Sequence, residues 1–129
     1  MVVVLLKLII SIALGGLVGL ERQIKRKPAG LRTHMLVSMG ACLFTVVSLE
    51  FGADPARVAS GIVTGIGFIG AGTIMGSKFH VKGITTAATL WVTAAIGLAV
   101  GAEMYIPALL GAILVFIVLQ MWRIEEELM

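Results

Sequence analysis

The sequence predicts an all-α membrane protein, a compact bundle of about five transmembrane helices. Two observations carry this prediction. Of the 129 residues, 59% are hydrophobic and only 13% are charged, whereas soluble domains carry roughly 25% charge. The apolar residues also fall in five long runs, and about 20 apolar residues suffice to cross a bilayer. Five crossings use nearly all of the chain, so residues 1–129 form one domain.

The apolar runs place the five helices at approximately 2–20, 34–50, 57–76, 84–102 and 104–122. Asp54 and Pro55 begin the third helix as its N-cap and first helical residue. This third run is rich in glycine, which is consistent either with a continuous helix or with a broken, re-entrant one. Broken helices in transporters aim backbone groups at substrate near the membrane midplane.

Glycines spaced four apart recur in the apolar runs: Gly15 with Gly19, Gly61 with Gly65, Gly72 with Gly76, and Gly97 with Gly101. Such pairs let helix backbones approach closely in lipid. We expect tight packing, including a dimer, and we expect Gly67→Leu to disrupt it. The candidates for helix packing or for a re-entrant break are Gly61, Gly65, Gly67, Gly70 and Gly72.

Basic residues predict the orientation, because cytoplasmic loops of membrane proteins are enriched in Lys and Arg. Most Lys and Arg residues follow the first helix, follow the third helix or lie at the C-terminus. The N-terminus is therefore expected outside and the C-terminus in the cytoplasm. We attribute the net charge of +3 to this asymmetry and expect no nucleic-acid partner. The single cysteine, Cys42, excludes an internal disulfide.

Polar residues near the predicted cytoplasmic helix ends form a candidate cluster: Glu21, Arg22, Arg32, Thr33, His34, Thr85 and Thr86. Ionisable groups at membrane depth are costly and often functional. Two arginines beside a helix N-terminus suit an anion such as a phosphate or a lipid head group. Alternatively, Glu21 pairs with Arg32 or Arg22 and ties the loop to the bundle. His34 is either a histidine that lies at the membrane interface without a binding role or a residue that binds the ligand of this cluster.

Catalytic and metal-binding patterns are weak. Asp54 and Arg57 form a candidate pair on the opposite face, explained by a helix cap without any metal. Residues Gly65 to Gly70 satisfy G-x-G-x-x-G, but the strand and acidic residue of a dinucleotide site are missing. No zinc spacing and no nucleophile beside a base is visible. We predict a non-enzymatic protein without a cofactor, and any metal ligand stays unassigned.

Five motifs in this order resemble the MgtC/SapB family: Gly19 to Arg22, Pro28 to His34, Asp54 to Arg57, Gly65 to Gly72 and Lys82 to Trp91. The resemblance implies the family's N-terminal five-helix domain in a bacterial inner (plasma) membrane. It also implies a link to growth at low magnesium and, in some members, inhibition of the membrane ATP synthase. Longer members carry a cytoplasmic C-terminal domain, which we expect to be absent from a chain ending at Met129.

The family motifs fall on the charged and glycine positions already named, and also on Trp91. Two functional hypotheses follow. The first is a regulator that contacts other membrane proteins, such as the ATP synthase, within the lipid bilayer and forms a homo-oligomer. The alternative is a small transporter or channel for magnesium, another ion or an anion. A water-lined cavity reaching Gly65 to Gly76 and Thr85 would favour transport, whereas a dry bundle with an exposed glycine face would favour regulation.

Overall fold

A computed structural model describes all 129 residues. Its elements are α1 Val2–Ile24, α2 Leu31–Glu50, α3 Pro55–Ala71, β1 Met75–Gly76, β2 Val81–Lys82, α4 Ile84–Gly101, α5 Tyr105–Leu119 and α6 Trp122–Leu128. The two short strands pair antiparallel as a hairpin between α3 and α4. The predicted all-α bundle is therefore confirmed, with a small hairpin and a short sixth helix added to it.

Four segments are long and apolar enough to cross a membrane: α1, α2, α4 and the stretch Tyr105–Leu128 that joins α5 to α6. The remaining helix, α3, has 17 residues, which at 1.5 Å per residue span about 25 Å. It nevertheless begins near the end of α2 that Glu50 marks and finishes beside the first turn of α4. There, Gly70 of α3 packs against Ala87 of α4. The chain is a multi-pass membrane protein.

The third helix is continuous but shorter than predicted, ending at Ala71 instead of near residue 76. Beyond it, the Thr73 hydroxyl donates to the Gly70 carbonyl at 2.7 Å, and the backbone then turns into the hairpin. Gly83 follows the hairpin and has a φ of 91°, which favours glycine. A side chain at this position would collide with the Thr73 carbonyl. Gly72 and Gly83 thus serve the end of α3 and the hairpin, and α3 itself is not broken.

Helix α4 lies at the centre of the bundle, in contact with α1, α2, α3 and α5. Glycines make its contact with α2 close: a Cβ added to Gly101 would lie 2.7 Å from Thr45 Cβ, and one added to Gly97 would meet the Ser38 carbonyl. The contact of α2 with α1 is equally close, since a Cβ on Gly15 of α1 would lie 2.6 Å from Ser38 Cβ. The buried face of α2 thus packs closely against glycines of both neighbouring helices.

The bundle has two distinguishable ends. At one end, which we call the Lys7 end, Lys7 Nζ of α1 forms an ion pair with Glu103 Oε1 between α4 and α5, at 2.9 Å. At the other, the Arg22 end, the C-terminal turn of α1 meets the start of α4, the end of α5 and α6. Because α1 begins at one end and α5 finishes at the other, the two chain termini lie on opposite sides of the bundle.

Candidate functional site

Two adjacent charged side chains are buried at the Arg22 end. Glu21 is 5% exposed and Arg22 is 4% exposed. Arg22 Nη2 donates to Thr86 Oγ1 at 3.0 Å, which ties the end of α1 to the start of α4. Arg22 Nη1 lies 3.7 Å from Glu21 Oε2, close enough for an ion pair but too far for a hydrogen bond. The two side chains therefore balance each other's charge, but the Glu21 carboxylate and Arg22 Nε make no hydrogen bond.

His34 is completely buried and connects α2 to α4. Its Nδ1 lies 2.8 Å from the Gly30 carbonyl, and its Nε2 lies 3.1 Å from Thr89 Oγ1. A carbonyl only accepts, so Nδ1 carries the proton and a neutral ring accepts at Nε2 from the Thr89 hydroxyl. That hydroxyl also lies 2.7 Å from the Thr86 carbonyl, so its single proton has two competing acceptors.

Further buried hydroxyl groups lie in the bundle beyond the contact of His34 with Thr89. On α4, Thr86, Thr89 and Thr93 follow one face, and the Thr93 hydroxyl donates to the Thr89 carbonyl at 2.6 Å. Thr45 of α2 and Ser11 of α1 likewise donate to carbonyls of their own helices. We call these five residues, with Arg22, His34 and Ser38, the polar seam. Hydroxyl donation to the preceding turn is common in membrane helices and satisfies most of the seam internally.

The structure brings together four of the seven residues of the predicted cluster, namely Glu21, Arg22, His34 and Thr86. The other three, Arg32, Thr33 and Thr85, make no side-chain hydrogen bond and no ion pair, and Arg32 and Thr85 are exposed. Of the two alternatives for Glu21, the partner is Arg22 and not Arg32. Thr89 was not predicted, although its spacing of three residues after Thr86 was the signal that could have found it.

A pocket of about 670 Å³ opens beside the buried pair, between the end of α1 and α6. We call it the Glu21 pocket. Trp122 forms one wall, and Lys25 Nζ lies 3.6 Å from the centre of the Trp122 ring, a cation–π contact. Four buried polar atoms here have no hydrogen-bond partner: both Glu21 carboxylate oxygens, Arg22 Nε and Trp122 Nε1. No sequence pattern indicated this pocket, because it forms only where the start of α6 meets the end of α1.

The predicted pair on the opposite face is only partly formed. Asp54 Oδ1 accepts from the Ala56 backbone N–H at 2.9 Å, so Asp54 caps α3 as predicted. Arg57 makes no ion pair with it. Arg57 instead lines a second cavity between α2 and α3. No group of three His, Cys, Asp or Glu side chains lies close enough together to hold a metal ion.

This second cavity, the α2–α3 groove, has a volume of about 730 Å³ and a mostly apolar lining. Its walls include three glycines, Gly40 of α2 and Gly61 and Gly65 of α3. A Cβ added to any of the three would meet nothing within 4 Å, and the same holds for Gly67 outside the groove. Gly67 therefore does not pack inside the chain, contrary to expectation. Of the predicted α3 glycines, only Gly70 contacts another helix, and Gly72 ends α3.

Comparisons with known proteins agree on one family. A family model described as the MgtC family matches residues 8–127. The Escherichia coli K12 protein named "Putative magnesium transporter YhiD" is 42% identical over 129 residues, covering 92% of this chain and 60% of that protein. Protein MgtC of Brucella abortus strain 2308 is 48% identical over 107 residues, covering 81% of this chain and 45% of that protein.

Protein MgtC of Salmonella typhimurium strain 14028s is 45% identical over 112 residues, covering 86% of this chain and 48% of that protein. The chain thus spans between 45% and 60% of the length of these relatives. No solved structure gives a significant match. The family match covers all or most of every long helix, the buried pair at the Arg22 end and the α2–α3 groove, and the chain therefore belongs to the MgtC family.

Proposed function

We propose that this chain is a non-enzymatic membrane protein of magnesium homeostasis that acts by binding a transmembrane helix of another membrane protein in the α2–α3 groove. The observation that carries the proposal is the open glycine face of α3, formed by Gly61 and Gly65. The link to magnesium rests on the family resemblance and on the name of the Escherichia coli relative.

The glycines of the other helices show that glycine in this bundle permits close contact between helices. Gly15, Gly19, Gly97 and Gly101 each lie where a side chain would collide with a neighbouring helix. Glycine in a helix interior is otherwise unfavourable by about 1 kcal/mol relative to alanine. A pair of glycines four residues apart with nothing opposite is therefore best explained by a neighbour outside the chain.

The shape of the groove favours a single helix of a different protein over a second copy of this chain. A two-fold dimer would place the same surface of both copies face to face. Because the α2–α3 groove is concave, two copies of it would enclose a void, whereas one helix would fill it. The homo-oligomer favoured by the sequence, a dimer, remains the competing occupant. A partner such as the ATP synthase, which the family resemblance suggests, supplies many transmembrane helices.

Photo-crosslinking from Ile69, which is exposed and lines the groove, tests the occupant. An aliphatic diazirine residue there should crosslink in native membranes to a peptide that mass spectrometry assigns to a transmembrane helix of one other protein. The same residue at Val63, exposed on α3 outside the groove, should not. Crosslinks to a second copy of this chain, or to lipid only, would overturn the proposed occupant.

The polar seam favours a second candidate function, ion transport. Buried polar residues inside a membrane bundle often mark an ion or proton path, and here they run from the Arg22 end to Ser11 and Thr45. Against this, most seam hydroxyls are satisfied by their own helices, and the groove beside the α3 glycines is mostly apolar. These two observations support helix binding more strongly than ion transport.

Liposome flux separates the two functions. Reconstituted protein should move magnesium, potassium, protons and small anions no faster than protein-free liposomes do, because the proposed function requires no pore. Flux that Arg22→Gln abolishes and the exposed control Arg32→Ala preserves would instead establish transport through the polar seam. Circular dichroism and insertion of each variant should be verified in the same liposomes.

We also propose the bacterial inner membrane as the location, with the Arg22 end in the cytoplasm. The support is the concentration of basic residues at this end, where the segment from Arg22 to Lys27 carries four of them. The hairpin between α3 and α4 adds Lys78 and Lys82 at the same end. The Lys7 end, with Glu50, Asp54 and Glu103, would then face outward.

A further inference from the structure

The Glu21 pocket lies apart from the α2–α3 groove and plays no part in the proposed helix binding. Its charged lining residues balance: three carboxylates face three cations. The carboxylates are those of Glu21, Glu125 and Glu126, and the cations are those of Arg22, Lys25 and Lys27. A ligand of one charge would meet like charges in this pocket, whereas a ligand carrying both charges would enter without changing the balance.

Glu21 is the reason to expect a ligand and not only solvent-exposed charges. Its side chain is 5% exposed, yet neither carboxylate oxygen accepts a hydrogen bond. A buried carboxylate without hydrogen bonds is unfavourable even beside a cation, because it has lost its hydrogen bonds to water and gained none in return. In the same region Arg22 Nε and Trp122 Nε1 are buried donors without acceptors. The pocket thus lacks both a donor for Glu21 and an acceptor for its neighbours.

The position of the pocket indicates where such a ligand comes from. Trp122 follows the end of α5, where a transmembrane segment leaves the hydrocarbon, and tryptophan at that depth lies among lipid head groups. Lys25 and Lys27 follow the end of α1 at the same depth. The volume of about 670 Å³ falls within the range of small-ligand sites. A head group can therefore reach the pocket from the bilayer.

We propose that the Glu21 pocket binds the phosphoethanolamine head group of a membrane lipid. The primary ammonium donates hydrogen bonds to the Glu21 carboxylate, and the phosphate accepts from Lys25, Lys27 and the Trp122 indole N–H. A choline head group has the same charges, but its quaternary ammonium has no N–H to donate. A phosphoglycerol head group carries no ammonium, so it has no cation for the Glu21 carboxylate. The ammonium is thus the group that Glu21 selects.

Native mass spectrometry of the detergent-purified chain tests this selection. Phosphatidylethanolamine should be retained about tenfold more tightly than phosphatidylcholine or phosphatidylglycerol with the same acyl chains, the effect of one charge-assisted hydrogen bond. Glu21→Gln should remove the preference for phosphatidylethanolamine and leave phosphatidylcholine retention unchanged. Glu127→Gln, which removes a carboxylate outside the pocket, should retain the preference.

A second pair of variants guards against loss of folding in Glu21→Gln. Lys25→Ala should weaken retention of phosphatidylethanolamine several-fold, whereas Arg32→Ala, exposed and outside the pocket, should not. Free phosphoethanolamine should compete only at far higher concentration than the lipid. Equal retention of the three lipids, equal behaviour of Glu21→Gln and Glu127→Gln, or free phosphoethanolamine binding as tightly as the lipid would each overturn the proposal.

Discussion

A Gly97→Ala variant is expected to lose a large part of the stability of the bundle. The added Cβ would fall on the backbone carbonyl of Ser38 in α2. The same residue is also in close contact with α1, since a Cβ on Gly15 would lie 2.6 Å from Ser38 Cβ, so a shift of α2 away from Gly97 would disturb both contacts. Overpacking typically costs about 1–3 kcal/mol and occasionally more, and the clash here is with backbone; typical proteins have a total stability of about 5–15 kcal/mol.

Thermal unfolding in detergent measures this effect. The matched control is Gly65→Ala, the same substitution where nothing lies within 4 Å. It should change the stability by less than about 1 kcal/mol, and in the stabilising direction, because alanine favours the helix. Equal melting temperatures for Gly97→Ala and the unsubstituted chain would show that the close contact between α2 and α4 is not what holds the bundle.

Much of the fold could be predicted because the membrane makes apolar length a strong signal for helices. The bounds of α4, predicted at 84–102 and found at Ile84–Gly101, follow hydropathy closely. Hydropathy failed where tertiary contacts replaced lipid. It ended the first helix near residue 20, but Glu21 and Arg22 continue α1 to Ile24 because neighbouring helices bury them. It also extended the third helix across apolar residues that form the hairpin.

The candidate site was predicted in composition but not in geometry. Thr85 and Thr86 are neighbours in sequence, yet a helix turns about 100° between them, so Thr86 is buried against Arg22 and Thr85 is exposed. A sequence offers no way to choose between them before the face of α4 is known. The Glu21 pocket was harder to predict, because it depends on Trp122 and the end of α1, which are far apart in the sequence, lying side by side.

The second large effect is expected in the α2–α3 groove. Leucine at both Gly61 and Gly65 would fill the space proposed for a partner helix, and nothing in the chain itself lies within 4 Å of either Cβ position. The bundle should therefore fold and insert normally while the proposed helix binding is lost. Two leucine side chains in a close helix contact should weaken the complex about thirtyfold or more, since each overpacked side chain costs about 1–3 kcal/mol.

Gly67→Leu provides the matched control, since it adds the same side chain to α3 at an open position outside the groove. Growth at limiting magnesium of cells that depend on this chain, compared at equal amounts of inserted protein, tests the central claim most directly. We expect the Gly61→Leu/Gly65→Leu variant to fail to support growth and Gly67→Leu to support it fully. Normal growth with the double variant would contradict helix binding in the groove as the basis of function.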